Sequence, residues 1–171
     1  EACDVLPCDL AAQGVVASLG IRAGERVLEV GQGRGTKSVL MAAAGARLTS
    51  VEVDAKKCSL AAARMKAAGV DGRVECVCDD GRELARVDGA FDLVFVDAPC
   101  SGAGTLSRHP EIAWSLKEDA LADLAELQLR ILRRAATRVA AGGRLAYSTC
   151  SIFRQEDEDV VDAFLASPEG V

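Results

Sequence analysis

Arg26-Val27-Leu28-Glu29-Val30-Gly31-Gln32-Gly33-Arg34-Gly35-Thr36 reads as a strand, a glycine loop and the start of a helix. Val27, Leu28 and Val30 make a short apolar strand. Gly31, Gly33 and Gly35 let the backbone turn sharply and let a ligand approach the main chain closely. A strand that runs through such a loop into a helix predicts a chain that keeps alternating, and it does. Arg47 to Val53 is a second strand, and Ala55 to Ala68 a helix closed by Gly69. Arg73 to Cys78 is a third strand. Phe91 to Val96 is a fourth, nearly all apolar and therefore central. Lys117 to Ala140 is a long helix, with Leu121, Leu124, Ile131, Leu132, Ala135 and Val139 at helical spacing, ended by Gly142-Gly143. Arg144 to Ser148 is a fifth strand and Gln155 to Ala166 a last helix; Leu10 to Leu19 is a helix ahead of them all. The pattern predicts an α/β fold, a parallel sheet with helices on both faces.

The 171 residues, half of them apolar, suit one domain spanning 1–171. The chain opens on Glu1 rather than Met and both ends read as cut, so a fragment of a longer protein is expected. No apolar run approaches the ~18 residues a membrane span needs, and Glu1 to Leu10 lacks the basic start of a signal peptide. Seven cysteines at irregular spacing, with His109 the only histidine, do not form a zinc pattern, so no metal is expected. Free thiols without a secretion signal indicate a reducing cytoplasm. A net charge of −6 argues against a strong nucleic-acid binder acting alone, but not against one fed by flanking domains.

The glycine loop suits a dinucleotide as well as other adenosine cofactors. Thr36 stands where the dinucleotide fingerprint has its third glycine, and Glu29 precedes the glycines by two. The second feature resembles class I S-adenosyl-L-methionine methyltransferases and makes Glu29, Gly31, Gly33 and Gly35 candidate cofactor residues. Glu52, ending the second strand, is favoured as the acceptor for two ribose hydroxyls, with Asp54 capping the next helix. In Asp79-Asp80-Gly81, one aspartate is placed for an adenine amino group (Asp80 is assigned it) while the other caps a short helix. Arg34 and Lys37 are solvated loop charges, or Lys37 pairs with a substrate phosphate or the cofactor carboxylate.

Two thiols follow strands in short polar motifs: Asp97-Ala98-Pro99-Cys100-Ser101-Gly102 and Tyr147-Ser148-Thr149-Cys150-Ser151. A thiolate added to carbon 6 of a pyrimidine makes carbon 5 nucleophilic enough to take a methyl group. An acid near ring nitrogen 3 helps, and Asp97 is placed for that task if burial raises its pKa.

The stretch from Phe91 through Asp97, Pro99, Cys100, Arg108, His109 and Pro110 to Trp114 resembles the fourth motif of the NSUN/Fmu (Sun)-type RNA cytosine-5 methyltransferases. Gly142 to Ser151 is similar to their sixth. The resemblance runs from Asp9 to about Phe164 and implies a Rossmann-like class I methyltransferase fold, strand order 3-2-1-4-5, without the family's closing strand hairpin. It implies S-adenosyl-L-methionine as cofactor and ribosomal or transfer RNA as substrate. It makes Cys150 the nucleophile, Cys100 the residue that assists product release, and Asp97 a base contact that also borders the cofactor. Pro99, Arg108 and Thr149 fall on the substrate side. The cofactor loop departs from the family pattern Cys-Ala-Ala-Pro-Gly-Gly-Lys-Thr, matching it strictly only at Gly35 and Lys37. That departure, with the acidic charge, leaves an alternative: a non-catalytic S-adenosyl-L-methionine-binding module in ribosome assembly.

Plainer roles fit other residues. Cys58, Cys76 and Cys78, and with them Cys3 and Cys8, are inert small hydrophobes. His109 is a positioned loop residue and Trp114 a packing anchor. Tyr147 and Thr149 shape the pocket. Glu156 to Asp159 is a solvated first helical turn.

Overall fold

A computed structural model describes residues 7–170, so Cys3 lies outside the described residues. Five strands, β1 (Arg26–Val30), β2 (Arg47–Glu52), β3 (Val74–Cys78), β4 (Phe91–Asp97) and β5 (Val139–Ser148), form a parallel sheet in the order β3-β2-β1-β4-β5. The order in which the chain adds strands reverses between β1 and β4, where Val30 pairs with Val96. Such a switch point leaves a crevice beyond the strand ends.

Period-2 alternation sorts the side chains. Leu28, Val30, Val94 and Val96 pack on one face with Ile131, Leu132 and Ala135 of α5 (Glu118–Ala136) and Val160 and Phe164 of α6 (Glu158–Leu165). Val27, Leu93 and Phe95 pack on the other with Val16 of α1 (Leu10–Ser18) and Met41 of α2 (Thr36–Ala43). Ala61 and Met65 of α3 (Ala55–Ala67) close on Val39 of α2. Fully burying each such side chain contributes about 1.5–3 kcal/mol.

Three expectations need correcting. The long helix stops at Ala136, and Gly142-Gly143 does not end it: both glycines lie inside β5. Phe91 pairs with Val139 but Leu93 with Arg144, so the intervening β5 residues bulge out of register. Gly142 takes φ +75° there, and a side chain on Gly143 would press on the carbonyls of Ala140 and Phe91. The last helix is broken, with a 3-10 turn at Arg154–Glu156, an irregular Asp157, and only then α6. The break turns Glu156 inward, where it is 0% exposed rather than solvated. Trp114, on the short helix α4 (Ile112–Ser115), is 90% exposed and anchors no packing.

Candidate active site

A cleft of about 560 Å³ opens at the C-terminal ends of β1, β2 and β4. Its floor is Gly31, which takes φ +95° and passes so close to β4 that any side chain would collide with the Asp97 carbonyl. Glu52 lines the cleft at 6% exposure. It accepts from the Gly33 N–H at 2.8 Å and from its own neighbour Asp54 N–H at 3.0 Å. A carboxylate offers about four acceptor positions, so two remain for vicinal hydroxyls. Asp54 does cap α3, accepting from the Lys56 and Lys57 N–H groups, whose hydrogen bonds hold its carboxyl below the ordinary range.

Asp79 and Asp80 also line the cleft. A turn, not a helix, follows them. The Asp80 carboxylate is gripped by the Arg82 side chain at 2.6 Å, which holds its pKa down, and Asp79 accepts from the Arg86 N–H. With Glu52, Asp97, Asp79 and Asp80 around it, the cleft fits a cationic adenosyl ligand: carboxylates for ribose, amino group and positive charge.

Three candidate cofactor residues fall elsewhere. Strand alternation turns Glu29 with Val27 away from the cleft, toward α2. It is 0% exposed and accepts from the hydroxyls of Ser38 at 2.5 Å and Ser50 at 2.7 Å. Burial pushes its pKa up to about 7 against the pull of those hydrogen bonds. Gly35 heads α2 and backs onto Met65 and Ala61 of α3 rather than facing the cleft. Lys37 pairs with Asp97 at 2.6 Å, so its ammonium is committed to a protein carboxylate. Asp97 also accepts from the Ser148 hydroxyl at 3.0 Å. It is an ion-paired acceptor at the cleft wall.

The two thiols meet. Cys100 Sγ and Cys150 Sγ are 3.2 Å apart, both on the cleft, and the Cys150 N–H donates to Cys100 Sγ at 3.3 Å. Donation from the Cys100 thiol lowers the Cys150 pKa to about 7. The same hydrogen bond, with burial, pushes Cys100 far up. The contact thus favours the thiolate on Cys150, the more exposed of the two. Burial, with Cys78 beside it, pushes Cys58 up to about 12, consistent with an inert thiol.

The substrate-side residues scatter. Pro99 lines the cleft and its carbonyl accepts from Gln128 Nε2 at 2.9 Å. Thr149 faces away: its hydroxyl donates to Asp157 at 2.6 Å and accepts from the Ser151 N–H. Tyr147 likewise donates to the Glu156 carbonyl. Arg108, half exposed, pairs with Asp9, and His109 stays in the exposed loop beside Glu111.

Sequence reasoning missed Glu156. Its Oε1 accepts from the Ser101 N–H at 2.8 Å and Gln128 Nε2 at 3.0 Å, and its Oε2 from the hydroxyls of Ser101 and Ser151, both at 2.5 Å. Burial alone would raise its pKa, but these donors hold it below the ordinary range. The visible signal was the repeated Cys-Ser dipeptide, each serine one residue past a thiol. A wider hollow of about 850 Å³, bordered by Arg26, Arg47 and Arg73, lies at the opposite strand ends, away from the thiols.

Residues 16–171 match the family model described as 16S rRNA methyltransferase RsmB/F. The ribosomal RNA small subunit methyltransferase B of Citrobacter koseri is 36% identical over 161 residues, covering 92% of this chain and 37% of that protein. Its Salmonella typhi counterpart is 35% identical with the same coverage. The chain thus spans little more than a third of the length of the curated relatives it matches. Among solved structures, PH0851 is similar over 94% of this chain and 37% of its own, with TM-score 0.88 and 30% identity. The Pyrococcus horikoshii NSun6 structure with SFG shares the fold over 93% of this chain and 41% of its own, with TM-score 0.84 and 21% identity.

Proposed function

The chain belongs to the 16S rRNA methyltransferase RsmB/F family, and from that premise we propose that it methylates carbon 5 of a cytosine in ribosomal or transfer RNA through a Cys150 adduct. The observation that carries this is the thiol pair, 3.2 Å apart beside an acidic cleft. S-adenosyl-L-methionine, when bound, supplies the methyl group as an electrophilic sulfonium carbon. Glu52 would take the ribose hydroxyls, Asp80 would take the adenine amino group in exchange for part of its contact with Arg82, and the glycine loop would give the backbone room beside them.

The target cytosine leaves its stack to reach the cleft. The Cys150 thiolate attacks carbon 6, a sulfur–carbon bond forms, and the ring electrons move so that carbon 5 becomes the nucleophile. Asp97, fixed by Lys37 and Ser148, accepts a hydrogen bond from the exocyclic amino group, which a uracil lacks. After the methyl group is in place, water takes the carbon 5 proton, the freed electron pair restores the carbon 5–carbon 6 double bond, and the sulfur–carbon bond breaks to release Cys150 as a thiolate. The Cys100 thiol, donating to that sulfur, makes it a better leaving group.

Residues 1–171 act on this reading as one methyltransferase domain of a cytoplasmic protein, with flanking domains supplying most of the RNA affinity that a charge of −6 does not. Full-length protein given RNA that carries 5-fluorocytidine should be trapped as a covalent adduct. Cys150→Ala should abolish the adduct, and Cys100→Ala should accumulate one on ordinary RNA. An adduct that survives Cys150→Ala sinks the nucleophile assignment. Cofactor binding without transfer to any RNA would favour a binding module in ribosome assembly instead.

A further inference from the structure

We propose that Glu156 is the positioning residue of the thiol pair: its carboxylate ties the loop after Cys100 to the loop after Cys150 and so sets the distance between their sulfurs. The inference rests on the cysteine roles just given.

The geometry is that of a two-sided strap. Cys100-Ser101 leaves β4 and Cys150-Ser151 leaves β5, two separate loops. The Ser101 hydroxyl and N–H and the Ser151 hydroxyl all end on one carboxylate. Each hydroxyl is itself oriented by a backbone donor, Ala103 N–H for Ser101 and Phe153 N–H for Ser151. Gln128 adds a third anchor from α5, donating both to Glu156 and to the Pro99 carbonyl just before Cys100. Four donors and no acceptor point at Glu156, so the site demands an acceptor-only group. Neither Glu156 nor either serine borders the cleft. Glu156 touches no reacting atom; its effect reaches the chemistry only through where it holds the sulfurs.

Glu156→Gln keeps the shape but turns an amide NH₂ toward donors. Full-length Glu156→Gln should form the Cys100–Cys150 disulfide more slowly than wild type when treated with diamide, a diazene oxidant that takes two electrons and two protons from the pair. The bridged peptide is quantified by mass spectrometry. With RNA, kcat should fall by about tenfold to a hundredfold, while KM for cofactor and RNA stays within about twofold, well below the melting temperature. A merely structural carboxylate would lower the melting temperature and leave both readouts alone. If circular dichroism shows that Glu156→Gln does not fold, Ser101→Ala and Ser151→Ala carry the test, each cutting one side of the strap and each expected to slow bridging. Unchanged bridging and kcat, or a kcat loss matched by lost cofactor affinity, overturns the proposal. Slower bridging in a protein whose wild type methylates no RNA would keep the strap and remove the proposed reaction.

Discussion

Cys100 and Cys150 occupy similar motifs, and the hydrogen bond between them pushes their pKa values in opposite directions. The Cys100 thiol donates to Cys150, which favours the thiolate of Cys150 and disfavours that of Cys100. Removing the donor removes the cause. In Cys100→Ala, the pH midpoint for alkylation of Cys150 by iodoacetamide should rise from about 7 toward the ordinary thiol range near ~8.5. The measurement is peptide-resolved labelling rate against pH; an unmoved midpoint would show that the depression comes from elsewhere, with Lys37 the next cause to test. The two thiols were legible as candidates at one sheet edge because each follows a strand in a short polar motif; their separate roles came only from the resemblance. The contact that distinguishes them was not legible, since it joins residues from two strands whose adjacency only the sheet order provides. Glu156 was illegible for a related reason. In a run with Asp157, Glu158 and Asp159 it looks like solvated charge, and nothing local marks it as the one that meets Ser101 across the fold.

At the scale of elements, β1 carries the most instructive misreading. Glu29 has the right place before the glycines, but Val30 and Leu28 fix the inward face of the strand, and parity then sends Glu29 toward α2. There it joins β1 to Ser50 of β2 and Ser38 of α2, with Oε1 unpartnered. A carboxyl with ordinary pKa 4.5 when unfolded and about 7 when folded holds its proton more tightly in the native state. Its contribution is therefore fully present below about 4.5 and is lost as pH rises to about 7. The displacement corresponds to about 3 kcal/mol. Urea unfolding at a series of pH values should show wild type losing stability relative to Glu29→Gln across that window, and a constant difference above it. A difference that does not change with pH would mean the carboxyl titrates alike in both states. The α5–β5 boundary failed for the opposite reason: Val139 continues the helical period, and Gly142-Gly143 looks like a stop. Only pairing of Val139 with Phe91 reveals a bulged strand. The apolar run of β4 left no such ambiguity, because its residues are buried on both faces of the sheet rather than along one face of a helix.

The whole molecule divides its work across the switch point of the sheet. β1 and β2 with their loops build the cofactor side, while β4 and β5 carry the thiols, Asp97 and the loop with Arg108 and the exposed Trp114. Three of the chain's cations are already paired within the protein. The charge is −6, Lys37 is spent on Asp97, Arg82 on Asp80, and Arg108 on Asp9. RNA affinity that depends on releasing counterions from phosphates needs cations free to make those contacts. Residues 1–171 alone should bind S-adenosyl-L-methionine about as well as the full-length protein, because the glycine loop, Glu52, Asp79 and Asp80 all lie within them. They should bind substrate RNA at least about tenfold more weakly, and with a shallower dependence of log K on log salt. Calorimetry for the cofactor and fluorescence anisotropy for RNA over a salt series separate the two. Equal RNA affinity and equal salt slope for both proteins would place the RNA-binding surface within this domain, with Trp114 and Arg108 the first residues to substitute in locating it.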